Sequence, residues 1–305
     1  MKKPTHKIYR TTNWPAYNRA LMSRGNIAIW FDPATQWYAP SKGKQGRNQT
    51  YSDAAIQCCL MIKSLFRLSL RMVTGFVQSL IKLCGLNWIA PDYTTLCRRQ
   101  KHIDIVISYQ KSSDGLHLLM DSTGMKFLGE GEWKRKKHGP EYRRQWRKLH
   151  IGIDAKTLQI RAVQLTTNNV SDSQVLGDLL NQIPQDEQIN SVYTDGAYDT
   201  KQCRQVIADR QAHAVIPPRK NAKPWKDTKS SSLERNELLR TVKRLGRTLW
   251  KEWSGYHRRS LVETKMHCIK LLGDKLMARS FPSQVNEIHA RVAVLNRFTE
   301  LGRPL

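Results

Sequence analysis

The spacing of apolar residues changes character twice along this chain. Residues 51–101 carry them at helical intervals. Ser52-Asp53 caps a helix whose inward positions include Ile56, Cys59, Leu60, Ile62 and Phe66. Ser69 opens a second helix with Met72, Val73, Phe76, Val77, Leu80 and Leu83, closing near Gly85. After Pro91, residues 92–99 read as a short third helix ending in Arg98 and Arg99. Three short helices with cations on the last form a helix-turn-helix-like pattern, and a plain helical bundle is the alternative. Residues 1–50 are rich in Trp, Tyr and Pro and weakly patterned, which predicts a basic arm with little regular structure.

From about residue 115 the pattern turns to strands. Leu116-His117-Leu118-Leu119-Met120-Asp121 reads as a buried strand ending in a carboxylate. Residues 149–154 and 159–165 flank a short turn and predict a hairpin. A helix begins at Ser171-Asp172-Ser173 and runs through Leu180. Ile189-Asn190-Ser191-Val192-Tyr193-Thr194-Asp195 is a second strand ending in an acid. A helix to about Arg210 and a strand over 213–216 follow. Residues 219–234 read as a polar loop. A last helical region runs from about Leu233, breaks near Gly255 and resumes to about Met277. Three strands, a helix, a strand, a helix, a strand and a late helix is the order of the ribonuclease-H-like α/β fold, with a mixed five-stranded sheet. The expected organisation is a basic arm and helical domain over 1–112, then a catalytic domain over 113–305 with a polar, helical insertion at about 219–250.

Charge narrows the partners. The chain of 305 residues holds 51 Lys and Arg against 25 Asp and Glu, a net charge of +26. A surface so basic repels itself unless it meets a polyanion, and nucleic acid is the first candidate. A membrane is disfavoured: no apolar stretch approaches the ~18 residues a spanning helix needs, and no apolar core follows the basic N-terminus as in a signal peptide. A soluble, cytoplasmic, nucleoid-associated protein is expected. The cysteines (58, 59, 84, 97, 203 and 268) form no Cys-x-x-Cys pair, so neither zinc nor a disulfide scaffold is indicated, and buried reduced thiols are expected. Gly124 and Gly129 have phosphate-loop spacing but lack the Lys and Ser or Thr that should follow.

Asp121 and Asp195 each end an apolar strand and precede a turn of small residues, a rigid place to hold a hard cation. Either alone also reads as an ordinary strand-end or capping aspartate. Glu263 is distinguished by its neighbours. Tyr256, Arg259, Glu263 and Lys270 fall within roughly a 60° arc of one helix face. Leu261, Val262, Cys268, Ile269, Leu272 and Leu276 take the opposite side, with Lys265 intruding among them. One acid beside two cations and a phenol suits a phosphate backbone held against a metal. A solvated face with an Arg259–Glu263 ion pair is the plainer reading.

Tyr256-x2-Arg259-x3-Glu263-x6-Lys270 resembles the Tyr-Arg-Glu-Lys pattern of DDE transposases from bacterial insertion sequences. Met120-Asp121-Ser122-Thr123 and Tyr193-Thr194-Asp195-Gly196-Ala197-Tyr198-Asp199 resemble the regions around their two aspartates. The likeness is to insertion-sequence family five, in the branch typified by element nine-oh-three, and covers nearly the whole chain. It implies a ribonuclease-H-like domain using magnesium or manganese, which binds terminal inverted repeats, cleaves there and joins the freed 3′-hydroxyls to target DNA. It further implies that Asp121, Asp195 and Glu263 are the catalytic metal ligands and that Tyr256, Arg259 and Lys270 contact the DNA end. A homo-oligomer is expected in the DNA complex.

Residues 133–148 add a second basic feature. Lys134, Arg135, Lys136, Lys137, Arg143, Arg144, Arg147 and Lys148 interleave with Trp133, Tyr142 and Trp146. Cations neutralise phosphates and aromatics stack on exposed bases, so this stretch is expected to bind DNA at the mouth of the site, a solvated loop being the alternative. Arg98 and Arg99 are further expected contacts. His117, His150 and His213 lie on predicted strands and read as core residues. Two rivals share parts of this pattern: a ribonuclease-H-like nuclease or resolvase that cuts without joining, and a non-catalytic repressor. The first leaves the four-residue helix pattern unexplained, the second the three acids.

Overall fold

A computed structural model describes residues 11–41, 43, 48–112, 114–129, 131–139, 145–226 and 229–304. The first segment departs from expectation. Instead of an irregular arm, α1 (Trp14–Arg24) and a 3-10 turn over Ile27–Ile29 precede the helical block. The arm is ordered by contact with the far end of the chain. Arg24 donates to the carbonyls of Phe298 and Gly302, and Trp30 packs edge-on against Phe298.

The helical block consists of α2 (Asp53–Phe66), α3 (Leu70–Leu83) and α4 (Tyr93–Arg99). Its helices start where the capping residues predict. Ser52, Ser69 and Asp92 each accept a backbone N–H of the first turn, satisfying donors that would otherwise face no partner. The apolar faces of α2, α3 and α4 close over Ile56, Leu60, Val73, Val77, Ile81 and Leu96. This core also takes in Ala290 and Ala293 of the C-terminal helix, so the block is walled by residues from both ends of the chain.

The sheet comprises β1 (Leu116–Phe127), β2 (Arg147–Asp154), β3 (Ile160–Thr167), β4 (Ile189–Tyr193), β5 (His213–Val215) and β6 (Lys275–Leu276). Five strands lie in the order β3-β2-β1-β4-β5, with β6 beside the far end of β1. β1, β2 and β3 are antiparallel, whereas β4, β5 and β6 join in parallel. This mixed α/β sheet is consistent with a ribonuclease-H-like domain. β1 runs six residues past Asp121, because β2 pairs with it as far as Met125. On its other side, β4 pairs over residues 116–119 and β6 over 126–127. The stretch from Asp121 to Met125 is flanked there by no strand among the described residues. The sheet therefore has an opening beside Asp121.

Helices cover both faces. Against one lie α6 (Asp172–Asn181) and α7 (Lys201–Asp209), packed on Leu118, Met120 and Val192. Against the other lie α10 (Ser260–Leu271) and α11 (Phe281–Leu301), packed on Leu119, Met125, Ile151 and Ile153. Between β1 and β2 stands α5 (Glu132–His138), and α8 (Ser230–Leu245) and α9 (Arg247–Trp253) fill the region before α10. The late helical region thus differs from the sequence reading. It breaks at Gly246 as well as Gly255, both at positive φ, and α10 ends at Leu271. Leu276 belongs to β6, Leu261 is exposed, and α11 was not anticipated. His213, expected in the core, is exposed on the edge strand and pairs with Glu234 at 2.8 Å.

Lys265 interrupts the apolar side of α10. Its ammonium donates to Thr299 on α11 at 3.1 Å. Burial holds its pKa down at about 8, against an ordinary 10.5; Cys268 opposes the shift, and Arg24 and Arg303 add to it. As pH rises through 8 the folded state releases this proton while the unfolded chain keeps it until about 10.5, so this group adds stability as pH climbs across that window. We expect Lys265→Met to raise the denaturation midpoint at pH 7 and to flatten the rise between pH 8 and 10. Equal midpoints for both proteins across that range would show that the charge carries no penalty.

Candidate active site

Parallel pairing brings the two aspartates together. Leu119 of β1 stands opposite Tyr193 of β4, and Asp121 and Asp195 each lie two residues further along. Asp121 is half-buried within β1, and its Oδ1 accepts the N–H of Ser122 at 2.8 Å. Asp195 caps the 3-10 turn Gly196–Tyr198, accepting the N–H of Ala197 at 2.9 Å. Burial pushes the Asp121 carboxyl above the usual range and the charge of Asp195 adds to this, while Ser122 and Arg259 pull back.

Glu263 arrives from α10 and reaches the pair through a guanidinium. Arg259 is bonded to Asp121 Oδ2 by one nitrogen and donates to Glu263 Oε1 at 2.6 Å by another. It is the last residue of a 3-10 turn, Tyr256–Arg259, which enters α10. Tyr256 and Arg259 are therefore not on the helix of Glu263, although the Arg259–Glu263 contact has i,i+4 spacing. Tyr256 is buried against Trp250, with ring centroids 5.8 Å apart, and burial raises its phenol pKa. Lys270, near the end of α10, donates to Thr123 of β1 at 2.8 Å. The four residues of the helix pattern thus line up along the opening beside Asp121.

Among the described residues, no three His, Cys, Asp or Glu side chains gather tightly enough to hold a metal ion. The guanidinium lies between two of the acids as a cation would. The donor set of Asp121, Asp195 and Glu263 is all carboxylate oxygen, the ligand type that hard divalent cations require. That chemistry suits a divalent metal ion.

Other expected contacts separate into exposed and internal. Lys136 and Lys137 are exposed on α5, with Lys137 over the ring of Trp133. Arg98 is exposed on α4. Three expected DNA contacts have partners within the chain. Arg147 lies between the rings of Phe127 and Phe281 and donates to Gln284. Lys148 pairs with Asp172 at 2.8 Å. Arg99 holds the carbonyl of Tyr51 and pairs with Asp53. Strand β2 begins at Arg147, so these positions belong to the sheet and not to a basic loop. Arg143 and Arg144, and the side chains of Lys134 and Arg135, lie outside the described residues.

Sequence reasoning missed what holds the Asp195 turn. Arg219 donates to the carbonyls of Gly196 and Ala197 at 3.1 and 3.0 Å. Asp199, fully enclosed, receives Arg204 at 2.9 Å and Arg235 of α8 at 3.1 Å. Arg235 also stacks on Trp225. The one signal available was the second acid of Asp195-Gly196-Ala197-Tyr198-Asp199; of its partners, Arg204 stands on α7 and Arg235 in the stretch expected as an insertion.

Two family models, each described as a transposase DDE domain, match residues 112–297 and 22–130. The first covers more than half of the chain, and the protein belongs to the DDE transposases. The family implies a metal-dependent nucleic-acid transferase.

Removing one partner of a buried ion pair strands the others without compensation. Asp199→Ala leaves Arg204 and Arg235 in that state, and we expect a loss of about 3–5 kcal/mol in chemical denaturation. A loss below about 1 kcal/mol, the range of a surface pair, would mean that the cluster does not hold the turn.

Proposed function

We propose that this transposase binds the terminal inverted repeats of its own element, cleaves at the ends and transfers the 3′-hydroxyls to target DNA, with Asp121, Asp195 and Glu263 as the metal-holding acids. The observation that carries the reading is the Arg259 bridge between Asp121 and Glu263 beside Asp195. It draws a late-helix glutamate to a strand-borne aspartate far away in sequence. The finer assignment to insertion-sequence family five, in the branch of element nine-oh-three, rests on the Tyr-Arg-Glu-Lys spacing.

In the protein without DNA, Arg259 neutralises two acids. A DNA phosphate competes for the same planar fork, which grips phosphate as readily as carboxylate. Arg259 then turns to the backbone of the cut end and frees the carboxylates. Lys270 adds a point charge further along the opening, and Tyr256 braces the turn that carries Arg259. Asp121, Asp195 and Glu263 would hold a divalent cation, magnesium or manganese, which would supply activation of the attacking oxygen and stabilisation of the leaving one. The DNA backbone is held by the wider basic surface, including Lys136, Lys137 and Arg98. The helix-turn-helix-like block α2–α4 reads the repeat, and joining two ends calls for a homo-oligomer.

Asp121→Ala, Asp195→Ala and Glu263→Ala should each bring end cleavage in magnesium below detection while leaving DNA affinity within about threefold, because the affinity comes from backbone contacts elsewhere. A variant that still cleaves removes its residue from the site. A strand-transfer assay on the wild type separates this reading from a nuclease that cuts without joining.

Arg259→Ala should reduce joining of pre-cut ends more than it reduces initial binding, since a misplaced end is no longer in line. Arg259→Lys should recover only part of the loss, because the fork is gone. Near wild-type joining by both variants would leave Arg259 a surface ion pair only.

A further inference from the structure

A second polar cluster lies behind the aspartates, on the opposite face of the sheet. Side chains alternate along β1, so Asp121 faces α10 while Ser122 faces α6. The Ser122 N–H holds Asp121 Oδ1 at 2.8 Å, and its hydroxyl hydrogen-bonds with Asp172, the first residue of α6. Lys148 and His150 approach the same carboxylate, at 2.8 and 3.4 Å. His150 is fully buried and stands opposite Ser122 across β1 and β2, with Thr166 3.0 Å from its Nε2. Burial works against the Asp172 charge, but His150, Lys148 and Ser122 outweigh it, and the carboxyl stays well below its usual range. It is a fixed anion.

The cluster reaches the other aspartate as well. Tyr198 lies three residues after Asp195, in the turn that Asp195 opens. It is fully buried, and its hydroxyl has no hydrogen-bond partner among the described residues. Burial pushes its phenol pKa upward, and the charges of Asp172, Asp121 and Asp195 push it further, in that order. The phenol therefore lies among all three carboxylates, with Asp172 the strongest influence.

We propose that Asp172 is a positioning residue for the aspartate pair: through Ser122 it fixes the backbone that orients Asp121, and it anchors the floor on which the Asp195 turn rests. The role rests on the reading of Asp121 and Asp195 as metal ligands. Partners that orient a ligand typically change metal affinity by about 10–100-fold when lost.

The test is a titration of the full-length chain with manganese, followed by electron paramagnetic resonance, beside Asp121→Ala as reference. Asp172→Ala and Ser122→Ala should each weaken manganese binding by at least about tenfold. The magnesium concentration for half-maximal cleavage should rise in parallel, with the rate at saturating metal much less affected. Asp172→Asn keeps an acceptor for Ser122 and should restore part of the affinity. The double variant should be no weaker than the single ones, because both act through one link. Unchanged manganese affinity in Asp172→Ala and Ser122→Ala, beside lost affinity in Asp121→Ala, overturns this proposal alone. Undiminished affinity in Asp121→Ala overturns the site assignment and this role with it.

Discussion

The parallel pairing of β1 with β4 brings Asp121 and Asp195 towards each other, and like charges so placed repel. Asp121 lies inside β1 and Asp195 caps a turn, which limits how far either can move. The remedy is positive charge placed between or beside the acids. In the chain alone that charge is Arg259, bonded to Asp121 and Glu263 together. Much of the surrounding structure keeps this arrangement in place. The opening between β4 and β6 admits the turn before α10, and the buried Tyr256 seats that turn.

The Asp195 side is held by a different means. Arg219 grips two carbonyls of its turn, and Arg204 and Arg235 converge on Asp199. These arginines come from α7 and from the segment that follows β5, so the insertion before α10 braces the turn from outside. Asp172 braces it from beneath the sheet. On the proposed reading the site binds a small, hard cation, which tolerates little error in ligand position, and constraint from two directions supplies that precision.

Capping residues and apolar periodicity made α2, α3, the hairpin of β2 and β3, and strands β1 and β4 legible, because those signals are local. The two aspartates stood out for the same reason, each next to an apolar strand and a turn of small residues. What could not be read depended on distant partners. The arm around α1 takes its order from Phe298 and Gly302, nearly the whole chain away. Arg147, Lys148 and Arg99 read as bare cations because composition reports charge and not its partner; Gln284, Asp172 and Asp53 are invisible at that distance. The face containing Tyr256, Arg259 and Glu263 was drawn as one helix, and the 3-10 turn set off by Gly255 altered its geometry while keeping the residues together.

Helix α11 carries a further consequence. Ala290 and Ala293 close the core of α2–α4, and Phe298 orders the arm ahead of it. The helical block is therefore finished by residues made long after it. Until α11 has been synthesised, the apolar face of α2 that it covers stays open. Synthesis and completion of this block are thus separated in time.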